Sequence, residues 1–225
     1  MAIPLFYIYF VFQSSLKMEN NKYLEDISEI KNIMNRSSRF ISLSGLSGIM
    51  AGIYALTGAW LAYRTIYFDT SGGAPYRNLM ISEESVLRLL VIAISVFMLS
   101  LLTGIFLSIR KARKQGENIW DASTRRLIIN FIIPFASGGF FILFLIEKEQ
   151  WGLVAPLMLL FYGLACVNAS KYTLGGVRYL GLTMIVLGLV STYFIGFGLL
   201  FWALGFGLCH IIYGGLMYFV YEKRK

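Results

Sequence analysis

The chain has 225 residues, of which 57% are hydrophobic and only 14% are charged, and its mean hydropathy is +0.68. Soluble domains carry about 25% charged residues, so this composition argues against an ordinary soluble domain and indicates a protein of the lipid bilayer. The formal net charge of +8 does not indicate nucleic-acid binding, because the basic residues flank apolar segments and there is no soluble basic domain.

Two segments precede the strongly apolar part of the chain. Residues 1–17 are apolar but too short to span a bilayer, which takes about 20 residues. Because Met18 begins a more ordinary polar N-terminus, we interpret 1–17 as an extension that need not be native; otherwise it would lie in the membrane interface. Residues 18–41 are predicted to contain a cytoplasmic amphipathic helix, since apolar residues recur there at helical steps: Tyr23, Ile27, Ile30 and Met34. Its apolar face would contact the membrane or a partner.

The rest of the chain is predicted to be an all-α bundle of six transmembrane helices, within residues 42–221. The six apolar segments that carry this prediction are 42–62, 89–109, 127–146, 152–169, 179–195 and 199–221. The last two are separated by Gly196-Phe197-Gly198, which predicts a tight hairpin whose glycines can adopt a positive φ. Residues 222–225 form a short basic tail. Cys166 and Cys209 lie inside apolar segments and are interpreted as small apolar residues.

The distribution of basic residues predicts the orientation of the bundle. The connections on the side of the two termini hold sixteen of the twenty Lys and Arg residues, and the opposite connections hold four. Because positive charge is retained on the cytoplasmic side, both the N-terminus and the C-terminus are predicted to be cytoplasmic. The densest basic cluster, in residues 110–126, is interpreted as a topogenic anchor, with binding of anionic lipid or of an acidic partner as the alternative.

Small residues predict close packing between the first and the sixth helix. A row on the first helix contains Gly45, Gly48 and Gly52, and a stripe on the sixth contains Gly207 and Gly214. Such rows let helix backbones approach each other, and packing drives helix association in lipid.

His210 is the single histidine and lies between those two glycines of the sixth helix. An ionisable group at that depth is costly and usually faces protein or a water-filled cavity. His210, Tyr213 and Asn130 are therefore the candidate polar site. The ring either makes one interhelical hydrogen bond or forms a proton or ligand site.

The third helix is predicted to be interrupted. Pro134 cannot donate to the carbonyl of Asn130, and Gly138 and Gly139 follow one turn later. These three residues are the candidate hinge. Such interruptions occur at transporter binding sites, but ordinary spans also tolerate proline.

The sequence provides no recognisable catalytic apparatus. It contains no phosphate loop, no metal-ligand cluster and no nucleophile–base arrangement. We therefore predict a protein that is not an enzyme, has no cofactor and no metal site, and does not bind nucleic acid. The leading hypothesis is a scaffold, accessory subunit or sensor that acts through helix contacts with a protein partner or a second copy. The alternative is a small transporter or channel that uses His210 and the interrupted third helix.

Three stretches resemble a family of uncharacterised bacterial multi-pass inner-membrane proteins of unknown function. They are Ser42–Gly45, Ile119–Asn130 with Pro134, Gly138 and Gly139, and Phe201–Gly207 with His210, Tyr213 and Gly214. The similarity covers about residues 18–222 and implies a bacterial inner membrane, but no activity. Some members are described as carotene-cleaving oxygenases. That chemistry holds iron with four histidines, so a chain with one histidine does not fit it.

Overall fold

The computed structural model describes residues 43–67, 83–116 and 119–222. The predicted extension 1–17, the predicted amphipathic helix within 18–41 and the last three residues of the predicted tail lie outside the described residues.

The described residues form six helices that are long and apolar enough to cross a membrane. They are α1 (Gly45–Tyr67), α2 (Glu83–Lys114), α3 (Ala122–Glu147), α4 (Trp151–Ala169), α5 (Gly176–Tyr193) and α6 (Gly198–Val220). The predicted all-α class and the predicted number of spanning helices are confirmed. The orientation in the membrane stays a prediction.

The first two helices extend beyond their predicted spans of 42–62 and 89–109. α1 continues to Tyr67, and α2 runs from Glu83 to Lys114. Three basic residues occupy the last turn of α2, namely Lys111, Arg113 and Lys114. Positive charge is favourable there because the last turn of a helix carries the negative end of its dipole.

Local residue chemistry explains the ends of several helices. Gly116, just after α2, has a φ of 67°, and Gly196 in the hairpin before α6 has a φ of 111°. The prediction that this hairpin uses a glycine at positive φ is confirmed. α3 begins after Asp121, whose Oδ1 accepts a 2.7 Å hydrogen bond from the backbone N–H of Thr124. This contact satisfies one of the backbone donors that a helix N-terminus leaves free.

The hydrophobic core lies among α4, α5 and α6. Leu159, Leu180 and Met184 form its buried centre. The other helices are added to this centre one by one: α3 packs on α4, α1 packs on α6, and α2 packs mainly on α1.

Glycines let α4 and α5 come very close together. A Cβ atom added to Gly163 would lie 2.7 Å from the Gly181 carbonyl oxygen, and the reverse distance is also 2.7 Å. Further along, a Cβ on Gly188 would lie 2.8 Å from the carbonyl oxygen of Pro156. This second row of glycines was not among the predicted packing residues.

The sixth helix is not uniformly α-helical. Residues Ala203–Cys209 form a π-helical segment, which is followed by an α-helical segment, His210–Met217, and by a second π-helical segment, Tyr218–Glu222. Longer i to i+5 turns of this kind are rare and frequently occur at functional sites. The first one ends immediately before His210.

Candidate functional site

The first and sixth helices pack against each other through the glycines singled out in the sequence. A Cβ on Gly45 would lie 2.6 Å from the Gly214 carbonyl oxygen, and one on Gly48 would lie 3.1 Å from Gly214 Cα. A Cβ on Gly52 would lie 2.6 Å from the carbonyl oxygen of Gly207. The neighbours are mostly backbone atoms, so the absence of a side chain at these glycines lets the two helix backbones approach closely. We call this contact the α1–α6 seam.

His210 lies on α6 beside the α1–α6 seam, and its side chain reaches Tyr162 of α4. Only 7% of the residue is exposed. Its Nδ1 lies 3.1 Å from the Gly205 carbonyl oxygen, and its Nε2 lies 2.8 Å from the Tyr162 hydroxyl. A carbonyl oxygen only accepts hydrogen bonds, so Nδ1 carries the proton. In the neutral ring, Nε2 then accepts a hydrogen bond from Tyr162.

Aromatic rings enclose this histidine–tyrosine pair. Phe206 stacks on the imidazole with ring centroids 5.9 Å apart, and it meets the Tyr162 ring edge-on at 5.0 Å. On the other side, Phe131 of α3 contacts the Tyr162 ring edge-on at 5.9 Å. Both ring nitrogens of His210 are hydrogen-bonded inside the protein. Besides these aromatic rings, the Cys166 thiol of α4 is a polar neighbour that hydrogen-bonds to Tyr162.

The π-helical segment and a glycine place the carbonyl that His210 contacts. A Cβ on Gly205 would overlap Leu159 Cδ2 and would lie 3.0 Å from the Met184 sulfur. Gly205 thus lets the widened turn sit against the core. Its carbonyl oxygen then accepts the imidazole N–H of the residue five positions later.

Of the other two residues of the predicted polar site, Tyr213 lies near Tyr162, and Asn130 makes a separate contact on α3. The Tyr213 ring packs over Gly176 at the start of α5, with Cε2 3.1 Å from the position of a Cβ. Asn130 on α3 donates through Nδ2 to the Arg126 carbonyl oxygen at 2.8 Å. Neither of these two contacts involves His210, but Tyr213 also acts electrostatically on Tyr162, the hydrogen-bond partner of His210.

A side chain of α4 replaces the hydrogen bond that Pro134 removes from α3. Pro134 has no N–H to donate to the Asn130 carbonyl oxygen, and Asn168 Nδ2 donates to that oxygen at 2.8 Å. The helix continues from Ala122 to Glu147, so the predicted interruption is confined to this one backbone bond. The Asn168–Asn130 bond also joins α3 to α4.

The glycine pair of the predicted hinge has two different environments. Gly138 is buried, and a Cβ there would overlap the Phe161 side chain of α4. Gly139 is exposed, and no atom lies within 4 Å of where its Cβ would be. Close packing on α4 accounts for Gly138, while a hinge function for Pro134, Gly138 and Gly139 stays a prediction.

The geometry of the pair His210–Tyr162 supports hydrogen bonding and proton exchange between the two side chains. Among residues 43–67, 83–116 and 119–222, no group of three His, Cys, Asp or Glu side chains could hold a metal ion. No acidic side chain contacts the pair in the described structure.

No family model matches the chain, and neither the curated proteins nor the solved structures compared with it give a significant match. The resemblance to bacterial inner-membrane proteins therefore stays a prediction.

Two residues of this region were not found from the sequence, Tyr162 and Asn168. Both have a polar end within the apolar segment 152–169, where a polar group needs a partner in the protein. That signal was available from the sequence. The partners of Tyr162 and Asn168 could not be predicted from the sequence, because they lie 48 and 38 positions away along the chain.

Proposed function

We propose that the protein is a scaffold or accessory subunit that works by contacts between its own transmembrane helices and those of a partner. The charge distribution supports a bilayer orientation with both termini in the cytoplasm, and the resemblance supports a bacterial inner membrane. The partner is another membrane protein or a second copy of the chain. The single observation that carries the proposal is that the apolar surface of helix α2 is largely exposed.

Helix α2 is the least covered of the six helices. None of its most apolar window is buried, whereas a third of the corresponding window of α1, α4 or α5 is buried. Ile94, Leu102 and Phe106 are each about 60% exposed. Lipid alone can cover such a surface, so exposure by itself does not indicate a protein partner.

A row of small residues on α2 indicates a surface for helix packing. Ser100, Gly104 and Ser108 follow one another at steps of four, which is the spacing that lets transmembrane helices approach closely. No atom lies within 4 Å of where a Cβ of Gly104 would be. At the α1–α6 seam and at the α4–α5 contact, in contrast, backbone atoms of the neighbouring helix lie close to where a glycine Cβ would be. We expect a partner helix to use this open row.

Position-specific crosslinking tests this function. A photoreactive residue at the exposed position Leu101, next to the row, should give one discrete adduct in native membranes. The same residue at Val186 on α5, which is also exposed, should give none. An adduct of twice the chain mass would identify a second copy as the partner, and another discrete mass would identify a different protein.

The matched variants for this experiment are Gly104→Ile and Gly215→Ile. Neither glycine has an atom within 4 Å of its Cβ position, so both chains should fold. The Leu101 adduct should disappear in Gly104→Ile because the isoleucine fills the row, and it should persist in Gly215→Ile. An adduct that survives in Gly104→Ile would show that α2 does not bind through this row.

A second candidate function, proton or small-ligand transport, is favoured by one observation. The buried pair His210–Tyr162 follows a π-helical segment, and both features are common at functional sites. Against it, both ring nitrogens are hydrogen-bonded within the protein, and α3 is continuous across Pro134.

Replacement of His210 and Tyr162 separates the two candidates. His210→Leu and Tyr162→Phe should each lower the free energy of unfolding in detergent by about 0.6 kcal/mol, and by no more than roughly 2 kcal/mol. We expect liposomes that contain the wild-type protein to hold a pH gradient as long as empty liposomes do. A proton flux that His210→Leu abolishes without loss of assembly would instead support transport.

A further inference from the structure

A groove of about 490 Å³ lies between α1 and α2, near the end of the bundle that the charge distribution predicts to be external. Its walls include the side chains of Arg64 and Arg88 together with four aliphatic side chains. Beyond the groove, toward the middle of the membrane, the two helices meet at Gly58, where a Cβ would lie 2.5 Å from Val96 Cγ2.

The polar and apolar walls of the groove are at different depths. Along α1, Leu61 lies one turn deeper than Arg64; along α2, Val91 and Ile92 lie one turn deeper than Arg88. The groove therefore has a cationic rim and an apolar interior. A membrane phospholipid has the same polarity, with a charged headgroup above its acyl chains.

Aromatic residues mark the level of the membrane surface beside this rim. Trp60, Tyr63 and Tyr67 lie on α1 around Arg64, and Trp60 and Tyr63 are well exposed. The two tyrosine rings contact each other with centroids 4.6 Å apart. Tryptophan and tyrosine are enriched at the headgroup level of the bilayer, so we expect Arg64 to lie at the level of the lipid phosphates.

The two arginines of the groove have different partners. Arg88 pairs with Glu84 at 2.8 Å, which offsets one of the two positive charges. The Arg64 guanidinium lies 5.4 Å from the Trp60 ring centroid, and no ion pair with a described carboxylate engages it. Arg64 is therefore the cation of the groove that makes no ion pair with a described carboxylate.

We propose that this groove binds one anionic phospholipid, with the headgroup phosphate on Arg64 and an acyl chain along Leu61, Val91 and Ile92. The guanidinium provides several N–H donors in a geometry that suits phosphate oxygens. The proposal is independent of the function proposed above, because it involves the α1–α2 groove and not the Ser100–Gly104–Ser108 row.

Native mass spectrometry of the full chain in detergent tests the site. Phosphatidylglycerol and phosphatidylcholine with identical acyl chains are added in parallel, and the retained lipids are counted. The wild-type protein should retain one phosphatidylglycerol in preference to phosphatidylcholine. Arg64→Gln should lower that retention about fivefold, since a basic side chain near an anionic headgroup contributes about 1 kcal/mol. Equal retention of the two lipids by the wild type would overturn the proposal.

Two further variants test whether the loss of lipid is specific to the positive charge at Arg64. Arg178→Gln makes the same change at an exposed arginine at the start of α5, on the predicted cytoplasmic side, and should leave retention unchanged. Arg64→Lys keeps the charge but loses the forked N–H geometry, so it should retain less phosphatidylglycerol than the wild type and more than Arg64→Gln. The proposal is overturned if Arg64→Gln binds like the wild type, if Arg178→Gln loses as much lipid, or if Arg64→Lys loses as much as Arg64→Gln.

Discussion

Gly214→Ala is expected to lower the free energy of unfolding in detergent by about 2 kcal/mol. The added Cβ would lie 2.5 Å from the backbone nitrogen of Ile49 and 2.6 Å from the Gly45 carbonyl oxygen. Backbone atoms cannot rotate out of the way as a side chain end can, so α1 and α6 must separate. Overpacked positions in well-packed cores cost about 1–3 kcal/mol.

The adjacent glycine provides the control for this prediction. Gly215 has no atom within 4 Å of its Cβ position, so Gly215→Ala should be neutral or stabilise by about 0.5–1 kcal/mol through its higher helix propensity. Thermal and denaturant unfolding of the two variants measure the difference. Equal stability of both variants would contradict the close approach of α1 and α6.

Asn168→Ala is expected to destabilise the wild-type chain by about 1–2 kcal/mol, because it leaves the Asn130 carbonyl without a donor in an apolar environment. In a Pro134→Ala background, the new backbone N–H of residue 134 can donate to that carbonyl. There, Asn168→Ala should cost less than about 0.5 kcal/mol. The double-mutant cycle therefore yields a coupling energy that reports whether Asn168 replaces the missing helix bond.

A second asparagine serves as the comparison in the same assay. Asn130 Nδ2 donates to the Arg126 carbonyl oxygen, which the helix backbone can already satisfy. Asn130→Ala should therefore have a small effect in both backgrounds. If Asn168→Ala is equally costly with and without Pro134, its contribution comes from packing against α3 and not from the freed carbonyl.

The features that the sequence predicted depend on local composition and helical periodicity. Six apolar segments of spanning length correspond to six helices, and Gly196 is at a positive φ in the hairpin, as expected. The rows that contain Gly45, Gly52 and Gly214 were visible because one residue type recurs at helical steps. Patterns of this kind need no knowledge of which helices are neighbours.

The features that the sequence did not predict depend on the alignment of distant helices. His210 hydrogen-bonds to Tyr162 of α4. Which residue of α4 becomes its partner depends on how far α4 is shifted along α6. The π-helical segment Ala203–Cys209 has no distinctive sequence signal, since its glycines and aromatic residues are equally compatible with an α-helix. Asn168 could be recognised as a polar group in need of a partner, but the partner is a backbone carbonyl on another helix.

The α1–α6 seam has a consequence for the synthesis of the protein. α1 is the first of the six helices to leave the ribosome and α6 is the last, and 130 residues (68 to 197) separate the end of one from the start of the other. At translation rates of about 5–20 residues per second, the glycine face of α1 waits roughly 10 s for its partner. During that time α2 can already cover another side of α1, and α4 and α5 can pair as neighbours. The bundle is therefore closed last by its final helix, and a nascent chain cut short before residue 198 leaves that face of α1 without its partner helix.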